Sequence, residues 1–152
     1  MNALLMPHSL FTMESTRVEM PEAPVECRPV VYYFPAFETW RLVEPFELEH
    51  KGSTIRINAP FDFDMASIPR IVWSVKACHE LGILAPLVHD LFYRAGGNVP
   101  VHIANVSPHR TFDRGRVDRL FRHHMEQEGV SRFWRNAAYS AVRLFGRGSW
   151  KG

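Results

Sequence analysis

One short stretch of the sequence places three chemically versatile side chains within a single helical turn. His89, Asp90 and Tyr93 lie in the sequence Leu-Val-His-Asp-Leu-Phe-Tyr, whose apolar residues recur at helical spacing. At about 100° per residue, the three polar side chains fall together on the side opposite the apolar stripe. An imidazole is a candidate general base near neutral pH, and a carboxylate is a hard ligand for calcium or magnesium. The alternative interpretation is the solvated polar face of an amphipathic helix.

A carboxylate on the next predicted helix is the natural partner for this histidine. Asp118 lies at the edge of an apolar stripe, beside Phe121 and Met125, so we expect it to be partly buried and to need a partner. Two antiparallel helices would place it against His89, where it would fix the imidazole tautomer and stabilise the protonated ring. The alternative is an ion pair with an arginine of its own helix, Arg114 or Arg122.

A second group of acidic residues precedes the helix. In residues 61–70 two aspartates alternate with aromatic residues, and Asp64 is either a metal ligand or a turn residue. Arg70 is a candidate partner for these carboxylates. The pairs His79-Glu80 and His123-His124 lack the spacing of a metal site, which indicates surface histidines.

The N-terminal elements predicted around these residues are short antiparallel strands. A β-branched and aromatic run begins at Val30, and a second run covers residues 39–43. Residues 46–50 and 53–57 alternate around Lys51-Gly52, which predicts a hairpin. We expect the apolar face of this hairpin to consist of Phe46, Leu48, Ile55 and Ile57. Residues 59–69 predict a loop, and a short helix is expected from Ser67 through Trp73 to Ala77.

Three longer helices are predicted in the C-terminal half, from about Leu84 to Arg94, Asp113 to Gln127 and Arg132 to Phe145. Their apolar residues recur at helical spacing, and glycines follow each of them. The stripe of the third helix is expected to pack against the other two helices. We expect contacts of its residues with Leu87, Val88, Leu91 and Phe121, and the residues of the stripe are Trp134, Ala138, Ala141, Val142 and Phe145. The fold class is therefore α+β, with a small antiparallel β-meander and hairpin followed by a three-helix half.

Length and composition set the domain organisation. The chain has 152 residues, 46% of them hydrophobic and 22% charged, which excludes a wholly disordered chain and predicts one domain. We assign residues 1–29 to a flexible N-terminal arm and residues 30–152 to a single α+β domain. Two cysteines exclude a disulfide scaffold. The sequence has neither a basic leader segment nor an apolar run of roughly 18 residues, so we expect no signal peptide and no transmembrane segment.

Charge is distributed unevenly along the chain. Residues 110–152 contain 10 basic and 4 acidic side chains, whereas residues 1–109 contain 8 basic and 12 acidic ones. The basic part is compatible with an anionic partner, such as lipid headgroups, or with a solvated arginine-rich surface. It carries no specific nucleic-acid-binding motif.

Several motifs together resemble a family of small phage and prophage proteins that is classified only as a domain of unknown function. They are Asp64 to Arg70, Trp73, His89-Asp90 with Tyr93, Arg116 to Asp118 with Phe121 and Met125, and Ala141 to Gly146 with Trp150. The resemblance implies a viral or prophage origin and assigns no activity. It further implies a place in the virion or its assembly, with other phage structural proteins or a second copy as partners. Because no signal peptide is expected, we predict synthesis in the host cytoplasm.

The pattern His-Asp-x-x-Tyr followed by a distant Asp is also similar to that of the calcium-dependent secreted phospholipases. This resemblance implies that His89 activates water, that Asp90 binds calcium or another divalent metal, and that Asp118 orients His89. Tyr93 would donate a hydrogen bond to Asp118. The competing hypothesis is a non-catalytic component of a phage particle, which needs no cofactor and in which the same residues form a packing network.

Overall fold

The computed structural model describes residues 28–64 and 82–152. Most of the predicted N-terminal arm and the short helix expected from Ser67 to Ala77 lie outside these residues, as does Arg70. In the part that is described, two small antiparallel sheets precede and flank three helices. The predicted α+β class is therefore confirmed.

The first sheet contains strands β1 (Val31–Phe34), β2 (Thr39–Leu42) and β5 (Phe61–Phe63), in that spatial order. The second contains β3 (Phe46–His50), β4 (Ser53–Ile57) and β6 (Ala104–Ser107), also in that order. The hairpin of β3 and β4 pairs Phe46 with Ile57 and Leu48 with Ile55, and it buries the predicted apolar face. Lys51 and Gly52 form its turn with φ angles of 47° and 72°, as a two-residue type I′ turn requires.

Two strands were not predicted. β5 lies in the segment expected to be a loop, but it pairs with β2, and Arg41 binds Asp62 on the neighbouring strand through two hydrogen bonds of 2.5 and 2.8 Å. β6 lies between two helices and adds to the edge of β4. Both strands are only three or four residues long, so their apolar periodicity is too short to stand out, and only pairing stabilises them.

The three helices are α1 (Leu84–Arg94), α2 (Arg114–Gln127) and α3 (Arg132–Phe145). Their bounds agree with the sequence prediction, except that Asp113 caps α2 instead of beginning it, and accepts a hydrogen bond of 2.9 Å from Arg116 N. None of the helices within residues 28–64 and 82–152 is long and apolar enough to cross a membrane.

The start of α1 is capped by a residue that follows α2. The Glu128 carboxylate accepts hydrogen bonds from the backbone N–H groups of Ile83, Leu84 and Ala85, at 2.7, 2.8 and 3.1 Å. These N–H groups have no partner within the helix, and a negative charge is favourable at this end of the helix dipole. Gly82 lets the carboxylate approach, because a Cβ at this position would lie 2.1 Å from Glu128 Oε2. The start of α1 and the end of α2 are therefore neighbours, and the two helices run antiparallel.

The apolar core is divided differently from the prediction. Leu87, Val88 and Leu91 of α1 pack in a cluster with the strands, whereas most of the predicted α3 stripe packs with Phe121 and Met125 of α2. Phe145 is 65% exposed, so its predicted burial is wrong. The next residue, Gly146, is buried against the Tyr93 ring and takes the place of an apolar side chain at this end of α3.

Candidate functional site

A buried contact between α1 and α2 joins the predicted histidine and carboxylate. His89 Nε2 lies 3.2 Å from Asp118 Oδ1, and the side chains are 2% and 0% exposed. The predicted approach of these two residues is thus confirmed. The contact forms because the antiparallel helices bring polar residues of both helices together beside their apolar contacts.

Tyr93 approaches the same carboxylate from the next turn of α1. Its hydroxyl donates a hydrogen bond of 2.6 Å to Asp118 Oδ1. The His89 ring packs between the rings of Tyr93 and Phe121, with centroid distances of 4.0 and 4.7 Å. Trp150 meets Tyr93 edge-on at 5.2 Å. Aromatic packing on several sides therefore holds the imidazole and the phenol in fixed positions.

The fourth member of the site comes from α3 and was not predicted. Arg143 donates a hydrogen bond of 2.9 Å from Nη1 to Asp118 Oδ2. Its side chain is 39% exposed, so it lies between the buried carboxylate and solvent. The sequence offered Arg114 and Arg122 of the same helix as partners for Asp118, and it carried no signal that singled out Arg143. We call His89, Tyr93, Asp118 and Arg143 the polar network.

Arg114, one of the two same-helix partners considered for Asp118, has another role. Its guanidinium donates hydrogen bonds to the backbone carbonyls of Val142 and Arg143, at 3.4 and 3.3 Å. A cation at these carbonyls is favoured by the helix dipole. Arg114 therefore ties the end of α3 to the start of α2, which is where Arg143 must be held.

The protonation states in the polar network follow from burial and hydrogen bonding. Burial lowers the pKa of His89 below its usual value, although the Asp118 carboxylate opposes this shift, so the ring is neutral at pH 7. Burial alone would raise the pKa of Asp118, but hydrogen bonds from His89, Tyr93 and Arg143 outweigh burial and lower it. Burial and the carboxylate raise the pKa of Tyr93. An ionised Asp118 therefore faces a neutral imidazole, a neutral phenol and the Arg143 cation.

The two predicted metal ligands meet at a different place, beside the end of β5. Asp90 Oδ2 lies 2.6 Å from Arg94 Nη2 and accepts a hydrogen bond of 3.3 Å from the Asp64 backbone N–H. The Asp64 carboxylate lies 3.4 Å from the same Arg94 nitrogen. Burial raises the pKa of Asp90 to about 7, although the Arg94 charge counteracts this shift. Asp64 and Asp90 are thus neighbours, as a shared ligand set would require, but an arginine lies between them.

Comparison with known proteins gives one match. Residues 40–142 match the family described as Protein of unknown function (DUF1353). The chain belongs to the DUF1353 family. No curated protein and no solved structure matches it. The matched residues include three members of the polar network, His89, Tyr93 and Asp118, together with Asp64 and Asp90.

The calcium implied by the phospholipase resemblance does not fit the described part of this DUF1353 chain. Within residues 28–64 and 82–152, no group of three or more histidine, cysteine or acidic residues could hold a metal ion. Asp64 and Asp90 supply two carboxylates, and the Arg94 guanidinium contacts both. A divalent cation at this place would have to displace a fixed positive charge.

One histidine of this DUF1353 protein departs from its prediction. His123 is exposed, as predicted. His124 is only 2% exposed, so its predicted surface position is wrong. Burial and the nearby His123 and His50 lower the pKa of His124 to about 3. The adjacent residues differ because they project about 100° apart on α2, which turns one ring outward and the other into the interior.

Proposed function

We propose that this DUF1353 protein is a phage-encoded accessory protein whose polar network is a hydrolytic centre, with His89 as the general base. The observation that carries the proposal is the contact of His89 Nε2 with the ionised Asp118. A neutral imidazole that donates from Nε2 keeps the lone pair of Nδ1 for a proton. The phage association rests on the motif resemblance alone.

The charges of the network suit proton abstraction. A neutral histidine is already in its basic form at pH 7, and the Asp118 charge would stabilise the imidazolium formed when a water molecule gives up its proton. Tyr93 and Arg143 hold the carboxylate in place, so that it does not have to reorient as the charge develops. Asp118 is therefore the positioning residue of His89.

The substrate class proposed for this centre is an ester or phosphoester. The order of His89, Tyr93 and Asp118 resembles that of the phospholipases, which makes a phospholipid ester the first substrate to test. Hydrolysis is proposed to use only the side chains of the polar network, because the described carboxylates do not form a calcium site.

A second function is favoured by the burial of the network. His89, Tyr93 and Asp118 are 2%, 0% and 0% exposed, and within the described residues the Asp118 carboxylate is bound by side chains of α1 and α3. Such a network fixes how three helices pack. In this second function the protein is a non-catalytic component of a phage particle.

Hydrolysis and stability measured on the same variants separate the two functions. We would assay the full chain on phosphatidylglycerol vesicles and on a soluble nitrophenyl ester, with calcium and with a chelator. His89→Gln should lower the rate by about 10²–10⁴-fold at a temperature where the variant is folded. His109→Gln, a substitution at an exposed histidine, should leave it unchanged.

Each outcome favours one function. A large loss in His89→Gln supports the base, and the chelator should not reproduce that loss. If the wild-type chain hydrolyses none of the substrates, the hydrolytic proposal fails and the packing network remains. Phage association is tested separately, by mass spectrometry of purified particles after induction of a prophage that carries the gene. Absence of the protein from the particles would refute a place in the virion.

A further inference from the structure

A solvent-accessible cavity of about 620 Å³ lies between the β3–β4 turn and α2. It lies on a different side of α2 from Asp118, which faces α1 and α3. Most side chains in its lining can donate hydrogen bonds, among them His50, Lys51, Ser53, Arg110, Arg119 and His123. The cavity is therefore separate from the polar network, and its function can be tested separately.

Positive charge dominates the lining. Lys51, Arg110, Arg116 and Arg119 line the cavity, against a single carboxylate, Glu49. Arg116 is engaged by Asp113 at 3.2 Å. Of the remaining cations, Lys51 comes from the hairpin turn, Arg110 from the segment before α2, and Arg119 from α2 itself. Cations delivered from three separate elements into one concave surface raise the local concentration of anions.

A buried hydroxyl in the lining points to a ligand. Ser53 is 2% exposed, and its Oγ has no hydrogen-bond partner within the part of the chain that the structure describes. The type I′ turn places Ser53 directly opposite His50, at the end of β4 that borders the cavity. A buried hydroxyl without a partner is unfavourable, and rotation of the Ser53 side chain toward the cavity would let its hydroxyl donate to a bound acceptor atom.

Two imidazoles complete the lining. The His50 and His123 rings lie 5.8 Å apart. Burial, followed by the nearby His123 and Lys51, lowers the pKa of His50. A bound anion would counteract the effect of the Lys51 charge on His50. The lining thus offers guanidinium, ammonium, imidazole and hydroxyl donors around one space.

We propose that this cavity binds the phosphate group of a small phosphorylated molecule or of a lipid headgroup. The tetrahedral phosphate has oxygens enough for donors that converge from several directions, and guanidinium groups match their spacing. The volume of about 620 Å³ exceeds that of a phosphate ion, which leaves room for part of the molecule to which the phosphate is attached. The inference does not depend on hydrolysis by the polar network.

Calorimetry with inorganic pyrophosphate and sedimentation with vesicles test the proposal. The full chain would be titrated with pyrophosphate at low salt, and mixed with vesicles of phosphatidylglycerol or of phosphatidylcholine. Arg119→Gln should weaken binding at least tenfold. Arg132→Gln, which removes the same charge from an exposed position on α3, should change it less than twofold.

Ser53→Ala provides a readout that charge alone would not affect. It should weaken binding about threefold to tenfold, while the melting temperature stays the same or rises, because the hydroxyl has no partner to lose among the described residues. Pyrophosphate binding with this pattern assigns a soluble phosphorylated ligand. The same pattern on phosphatidylglycerol vesicles, without pyrophosphate binding, assigns a headgroup.

Two results would overturn the proposal. Equal weakening by Arg119→Gln and Arg132→Gln would show that the basic surface attracts anions without a site. Binding of neither probe by the wild-type chain would remove the phosphate site altogether.

Discussion

Asp118→Asn is the substitution that most directly tests the energetics of the polar network. The change keeps the shape of the side chain but removes the charge that His89, Tyr93 and Arg143 share. An asparagine amide group would also direct an N–H donor at one of these donors. The variant therefore removes at least one buried hydrogen bond and leaves a cation without its counter-charge.

The expected cost follows from the burial of each partner. Loss of one member of a buried charged network typically costs about 3–5 kcal/mol. Arg143 is 39% exposed, so water screens part of its lost interaction, and we expect a value near the lower end, about 3 kcal/mol. For a chain of this size, that corresponds to a fall in melting temperature of roughly 6–12 °C.

Urea titrations followed by circular dichroism measure this difference. The matched control is Glu47→Gln, which removes a carboxylate from an exposed pair with Arg56 at 3.8 Å and should change stability by less than about 1 kcal/mol. The pKa of Asp118 is lowered in the folded chain, so its contribution is present above the ordinary carboxyl pKa and is lost as pH falls through the folded value. The gap between wild type and Asp118→Asn should therefore narrow in acid. If Asp118→Asn is as stable as Glu47→Gln at pH 7, the network does not stabilise the fold.

Gly146→Ala should lower the free energy of unfolding by about 1–3 kcal/mol in the same titrations, because its Cβ would lie 2.8 Å from a tyrosine hydroxyl. Gly148→Ala, whose Cβ would meet no atom within 4 Å in the described chain, should change it by less than about 0.5 kcal/mol. Glu128→Ala should cost about 1–2 kcal/mol and speed hydrogen exchange in the first turn of α1; unchanged exchange would contradict its capping role. Burial lowers the pKa of His124 to about 3, against 6.5 for the free side chain. The buried neutral ring therefore contributes fully to the free energy of unfolding above pH 6.5, and this contribution is lost as pH falls toward 3. His124→Gln should flatten the acid side of the stability profile and His123→Gln should not; equal profiles would refute the assignment.

Local sequence signals explain what could be predicted. The three helix bounds follow from apolar periodicity and from the residues that begin and end each helix. The hairpin follows from alternation around Lys51-Gly52. The contact between His89 and Asp118 could be predicted because Asp118 borders an apolar stripe, and a buried carboxylate must find a partner.

Features that depend on distant pairing could not be predicted. β5 and β6 are strands only because β2 and β4 offer them edges. Arg143 is one of many arginines in the C-terminal part, and nothing in its neighbours distinguishes it from the solvated ones. Phe145 fits the periodicity of α3, but Gly146 occupies the buried position against Tyr93 and Phe145 is left exposed. In each case the deciding contact involves residues far apart in the chain.

The cap of α1 has a consequence for how the chain folds. α1 has only 11 residues, which is too short for an isolated helix to be stable in water. The carboxylate that completes its first turn is supplied by Glu128, 44 residues beyond Leu84 in the sequence. Formation of α1 and its pairing with α2 should therefore be one cooperative event. His89 and Asp118 are then brought together in the step that creates the helix, so α1 does not wait as a preformed scaffold for its partner.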